Sequence, residues 1–185
     1  MSSATRGQLL AILEAYDFSG LGKIVDVGGG QRALLRGILE RYPDATGVLC
    51  DAPSVVDEAS EIRGTAVADR CDFFGADFFQ SVPMGADAYL LKSIVHDWSD
   101  TEAIKILRNC RQGIHGDGKV LLIEWVLKPS NEPDFGKLLD LNMLVVLPGR
   151  GRTEEEFRDL YAAAGFQLTR IIPAAGVSII EGVPV

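Results

Sequence analysis

The stretch "VDVGGGQRALL", Val25 to Leu35, constrains the fold more than any other part of the chain: an apolar run enters three consecutive glycines and leaves as a helical pattern. A strand that turns this tightly into a helix begins a βαβ unit, and the sequence repeats that alternation. Short runs rich in Val, Ile and Leu occur at "KIVDV", "TGVLC", "DAYLLKSI" and "KVLLIEWV". Helical patterns are predicted at roughly 31–42, 53–62 and 100–112 between and after them. This spacing predicts an α/β fold, Rossmann-like and doubly wound, with a mostly parallel sheet covered by helices on both faces.

The later part reads differently. "DFGKLLDLNMLVVL" carries an apolar helical face that Pro148 and Gly149 end, and "RTEEEFRDLYAAAGF" opens with Thr153 as N-cap, Glu156 completing a capping box, and closes on Gly165. Two apolar runs follow, "FQLTRII" and "GVSIIEGV", separated by Pro173, Ala174, Ala175 and Gly176. So short a connection holds no crossover helix, so the two strands are antiparallel neighbours. They complete a seven-stranded sheet with a C-terminal antiparallel hairpin.

A chain of 185 residues, 47% of them hydrophobic, suffices for one domain and its core. The net charge of −8 comes without a cluster of Lys and Arg, which argues against nucleic acid as a partner. No apolar run approaches the roughly 20 residues that span a bilayer, and "MSSATRGQLLAIL" lacks the features of a secretory leader, so no membrane partner and a cytoplasmic location are expected. Cys50, Cys71 and Cys110 are odd in number and lack metal-ligand spacing, which fits reduced thiols and no metal site.

Gly28, Gly30 and Ala33 satisfy G-x-G-x-x-A, and Asp51 follows about 20 residues later at the end of the next predicted strand, as in the dinucleotide fingerprint. Taken alone, this pattern fits an NAD-dependent oxidoreductase, or glycines that merely make a tight turn. Asp26, inside the strand before the glycines, is costly to bury unless it steadies the loop or meets a cationic ligand group. That carboxylate and the antiparallel hairpin favour S-adenosylmethionine over NAD.

The segments "DVGGG", "ADFF", "VPMGADAYLLKSIVHDW", "LLIEWVL" and "GRTEEEF" with a following "AAGF" resemble, in order and spacing, the catalytic domain of small-molecule O-methyltransferases of the caffeic-acid and hydroxyneurosporene type. The resemblance runs from about Leu10 to the C-terminus. It implies a class I S-adenosylmethionine-dependent enzyme that methylates a hydroxyl of an aromatic or polyketide-like small molecule. It places the loop Gly28 to Gly30 against the methionine part of the cofactor, Asp51 on the ribose hydroxyls, and Asp77 and Phe78 at the adenine. Lys92 matches a lysine near the cofactor, His96 the general base, and Glu124 its orienting carboxylate.

The residues themselves suit that chemistry. A phenol titrates near 10 and needs help at neutral pH, and a placed histidine contributes about 10²- to 10⁴-fold. His96 follows the predicted strand "AYLLKSI", at the carboxyl edge where open α/β sheets bind ligands. From position alone it fits a base or a cap between strand and helix. Glu124 ends the next strand, where it either faces water or accepts the other N–H of His96. Asp97 reads as a helix-start or supporting carboxylate, His115 as a solvated turn, and Trp98, Trp125, Met143 and the Asp140–Asn142 stretch as packing or pocket lining.

Three departures from the family pattern stand out: Arg32 replaces a glycine beside the cofactor's expected path, Gly151 stands where the family has a second glutamate, and the chain opens on what resembles the linker helix after an N-terminal dimerisation domain. Residues 1–22 are therefore expected to be a linker helix and 23–185 the cofactor-binding domain, with a second copy or that N-terminal domain as partner. The same departures also fit a non-catalytic assembly domain that keeps the fold.

Overall fold

The computed structural model describes residues 3–30, 33–57, 62, 64–128 and 149–185. Seven strands form one sheet: β1 (Lys23–Val27), β2 (Thr46–Asp51), β3 (Cys71–Gly75), β4 (Ala86–Lys92), β5 (Ile114–Glu124), β8 (Phe166–Ala174) and β9 (Val177–Pro184), in the order β3-β2-β1-β4-β5-β9-β8. The first five are parallel, and β9 runs antiparallel to both β5 and β8. A second, two-stranded sheet pairs β6 (Val126–Leu127) with β7 (Arg152–Thr153) in parallel.

Helices cover both faces. On one side lie α1 (Ser3–Ala15) and α2 (Ala33–Arg41), and on the other α4 (Asp100–Gly113) and α5 (Glu154–Ala164), with the short α3 (Pro53–Asp57) after β2. The strands alternate between two cores. Ile24, Leu49, Leu90, Leu121 and Ile123 join the α1/α2 side, and Val25, Val48, Leu91, Val120 and Leu122 the α4/α5 side. Strands buried on both faces read as continuous apolar runs, and each fully buried Leu or Ile stabilises by about 1.5–3 kcal/mol.

The α/β architecture and the antiparallel hairpin are as the sequence predicts, but several boundaries differ. Pro173 and Ala174 belong to β8, so the hairpin turn is only Ala175–Gly176, with φ of 46° and 86°. Positive φ at both turn residues matches the right-handed twist of the strands. β4 ends at Lys92 rather than Ile94 because Ser93 takes a left-handed φ of 58°. His115 is exposed but lies within the irregular first part of β5 rather than in a separate turn. The capping box of Thr153 and Glu156 and the left-handed Gly165 bound α5 as expected. The helical reading of 134–147, with Asp140–Asn142 and Met143, lies outside the described residues, as do Arg32 and Pro148.

Candidate active site

The strand order reverses between β1 and β4, and at that point the carboxyl ends of the two strands separate. Open α/β sheets bind ligands in such crevices. A cavity of about 350 Å3 lies there, lined by Asp26 and Gly28–Gly30 from β1 and its turn, Lys92–Ile94 from the end of β4, and Leu9 and Ile12 from α1. Gly28 has a φ of 68°, and a side chain there would run into Ile94. The loop thus keeps its backbone against the turn that follows β4.

Asp26 is 2% exposed, and its Oδ1 has no hydrogen-bond partner among the described residues. Its carboxyl faces the glycine loop: a Cβ on Gly29 would lie 2.5 Å from Oδ2. Burial pushes its pKa up to about 7, against the pull of Lys92 and with a smaller push from Asp51. A buried polar atom without a partner is rare and marks a missing one. A ligand ammonium would supply it.

Asp51 ends β2 and is fixed by its neighbours, accepting from Gly30 N at 3.0 Å and Ala52 N at 2.7 Å. The loop after β3 starts from the same edge, where Ala76 N donates to Asp51 O. In it, Asp77 is exposed and accepts from Phe79 N at 2.9 Å. Phe78 packs on Phe79 with ring centroids 5.0 Å apart and reaches the neighbourhood of Gly28. Gly28, Gly30 and Lys92 therefore line the cavity, Asp51 and Phe78 adjoin it through the glycine loop, and Asp77 stands one residue outside. Glycines for close approach, a buried carboxyl without a partner among the described residues and a second carboxylate held at the glycine loop fit S-adenosylmethionine.

His96 lies beside this cavity on a single helical turn, Val95–Asp97. Its Nδ1 is 2.6 Å from Glu124 Oε2, while Glu124 Oε1 accepts from the backbone N–H groups of Ile94 and Val95, both at 3.0 Å. The left-handed Ser93 turns the chain so that these two N–H groups and the imidazole converge on one carboxylate, which is 1% exposed. Burial disfavours the imidazolium, but the hydrogen bond and charge of Glu124, helped by Asp97, outweigh it and hold the His96 pKa above 6.5; Arg152 opposes them. The ring also meets Trp125 edge-on at 5.4 Å.

Arg152, which the sequence reading did not single out, clamps this turn. It is 1% exposed and donates to the carbonyls of Val95 at 2.7 Å and Trp98 at 2.9 Å, and its guanidinium meets Asp100 Oδ1 at 2.8 Å. Asp100 opens α4 and also pairs with Arg150 at 2.8 Å. The family-like "GRTEEEF" segment is thus tied to the histidine turn. Nothing in the local sequence marks an arginine as buried; only its parallel register with Val126, two residues past Glu124, brings it there.

The family model described as "O-methyltransferase domain" matches residues 2–167. The chain belongs to the O-methyltransferase family. That membership sets aside the oxidoreductase reading of the glycines. Phenazine O-methyltransferase PhzM of Lysobacter antibioticus is 46% identical over 177 residues, covering 95% of this chain and 52% of that protein. The crystal structure of LaPhzM superposes with a TM-score of 0.92 at 44% identity, covering 98% of this chain and 56% of that one. NcsB1, an O-methyltransferase from neocarzinostatin biosynthesis, matches with a TM-score of 0.86 at 32% identity, covering 99% of this chain and 58% of that one; its structure is a complex with S-adenosyl-L-homocysteine and 1,4-dihydroxy-2-naphthoic acid. The chain spans about half the length of the curated relatives it matches. Among the described residues, no helix is long and apolar enough to cross a membrane and no group of acidic, His or Cys side chains could hold a metal ion.

Proposed function

We propose that this chain transfers a methyl group from S-adenosylmethionine to a hydroxyl of an aromatic or polyketide-like small molecule. The observation that carries the reading is the His96–Glu124 pair at 2.6 Å, formed at the ends of neighbouring strands beside a glycine-lined cavity. Bound S-adenosylmethionine supplies an activated methyl group on a sulfonium. Gly28, Gly30 and Lys92 hold its amino-acid end, with Asp26 opposite the ammonium. Asp51 takes the ribose hydroxyls, and Asp77 and Phe78 the adenine.

Glu124 accepts from Nδ1–H and so turns the Nε2 lone pair toward the acceptor. His96 is the general base and carries the acceptor's proton as methyl transfer occurs, while Trp125 offers an aromatic wall to a planar ligand. Gly151 supplies no second carboxylate side chain at the histidine, so orientation of the two reactants takes a larger share of the work. Residues 1–22 act as a linker whose helix also walls the cavity through Leu9 and Ile12, and 23–185 carry the rest of the site. We place the protein in the cytoplasm, consistent with its three free, buried cysteines, and with a second copy or an N-terminal helical domain as partner.

The test is transfer of a labelled methyl group from S-adenosylmethionine to a panel of hydroxylated phenazines, naphthoates and catechols. Label in at least one acceptor, lost in His96→Ala, supports the reading. Full turnover in His96→Ala removes the base assignment, and no transfer to any acceptor by the native chain at saturating cofactor favours an assembly role.

A further inference from the structure

The loop after β3 that carries Asp77 and Phe78 is a tight turn. Asp77 Oδ1 accepts from Phe79 N at 2.9 Å, and the Asp77 carbonyl accepts from Gln80 N at 2.8 Å and Ser81 N at 3.1 Å. Spending Oδ1 on the turn fixes this exposed carboxylate and leaves Oδ2 for a donor on a ligand.

The turn is itself held from α4. Asn109 Nδ2 donates to the Phe78 carbonyl at 2.8 Å. Asn109 is half-buried, beside the buried Ile106 and Cys110. Asn is a weak helix former, so helix propensity does not account for it there, whereas a bond to a loop 31 residues back does. Trp98, just ahead of the helix, meets the Phe79 ring edge-on at 4.7 Å and the Phe78 ring at 6.4 Å. The helix thus starts next to the histidine turn and, about two and a half turns later, grips the loop.

We propose that Asn109 is a positioning residue for the nucleobase: by fixing the Phe78 carbonyl it holds Asp77 where the carboxylate reads the 6-amino group of adenine. This rests on the reading of Asp77 and Phe78 as the adenine contacts. Chemistry singles out that group. An ionised carboxylate only accepts, and adenine joined to ribose carries N–H on its 6-amino nitrogen alone. A loop pinned before the ligand arrives leaves less to be ordered on binding, so the Asn109 bond adds affinity at the purine end without touching the cofactor. The contacts at the amino-acid end, Asp26, the glycine loop and Lys92, come from other elements and do not depend on it.

The experiment compares, by calorimetry, the Kd of S-adenosylhomocysteine with that of its 6-deamino analogue, in which hydrogen replaces the amino group of the purine. The native chain should bind the adenine form on the order of tenfold more tightly, the weight of one hydrogen bond to a charged acceptor. Asn109→Ala should lose most of that preference. Asn109→Asp keeps the volume but offers no donor to the Phe78 carbonyl, and should lose it too, so the test survives if the alanine variant fails to fold. Arg111→Met is the control for general loosening: Arg111 ties α4 to the carbonyls of Gly165 and Val185, and its loss should lower the urea midpoint while leaving the preference intact. An unchanged preference in the Asn109 variants, even with both Kd values weakened, overturns the proposal, as does an equal loss in Arg111→Met. A native chain that binds both ligands equally removes the 6-amino contact and the proposal with it. One that binds neither overturns the cofactor reading itself.

Discussion

Glu124 meets His96 at 2.6 Å with one oxygen and the N–H groups of Ile94 and Val95 with the other, so one buried carboxylate sets both the ring and the turn that carries it. Removing the imidazole by His96→Ala is expected to lower kcat by about 10²- to 10⁴-fold with little change in cofactor affinity. Glu124→Gln keeps the shape but loses the charge, and kcat should fall with the acid limb of its pH profile displaced downward. The shift follows because Glu124 is the main influence holding the His96 pKa up. Steady-state kinetics across pH read both effects.

Arg152 binds the histidine turn through the carbonyls of Val95 and Trp98. Arg152→Met fills similar volume but leaves both carbonyls and Asp100 without their donor. Urea unfolding should show a loss of roughly 2–4 kcal/mol. Arg152→Lys keeps the charge but not the fork, and is expected to recover only part of that loss.

Asp26, with a pKa near 7, is largely protonated below that pH and ionises fully only above it. A ligand ammonium favours the ionised form. Binding of S-adenosylmethionine should therefore tighten as pH rises toward 7, level off above it, and release protons in the rising region. Calorimetry in two buffers of different ionisation enthalpy counts those protons, and Asp26→Asn should abolish the pH dependence.

A separate network ties α1 to the hairpin. Glu181 accepts from the hydroxyls of Tyr16 and Thr169 and from both ends of the Arg170 fork, with Lys119 3.5 Å away. Burial works to raise its pKa, but these hydrogen bonds and the nearby charges bring it down to about 2 from 4.5. Because the folded value lies below the unfolded one, the contribution is complete above 4.5 and fades as pH falls through about 2. Glu181→Gln should lower the urea midpoint at pH 7 and flatten its decline between those values.

The sheet was legible because each central strand is buried on both faces and reads as an unbroken apolar run. The hairpin was legible because its connection is too short for a crossover. β3 was missed: "CDFFG" is an edge strand of five residues with exposed Asp72 and Phe74, and it shows no continuous apolar signal. His96 and Glu124 could be placed at one sheet edge from strand ends alone, but their contact depends on Ser93 adopting a left-handed backbone, which no sequence rule anticipates for serine. The start of α4 lies at the capping box of Ser99 and Glu102, two residues past Asp97, a signal in "SDTE" that the sequence reading did not use, and Arg152 carried no local signal because its partners are backbone carbonyls more than 50 residues away in sequence.

The most direct test is calorimetric titration of this chain with S-adenosylhomocysteine, using the native protein and Asp51→Ala. A cofactor seated over the glycine loop with its ribose on Asp51 predicts micromolar binding by the native chain and at least a tenfold weaker Kd in the variant. No binding by the folded native chain, or equal affinity in the two proteins, would contradict it.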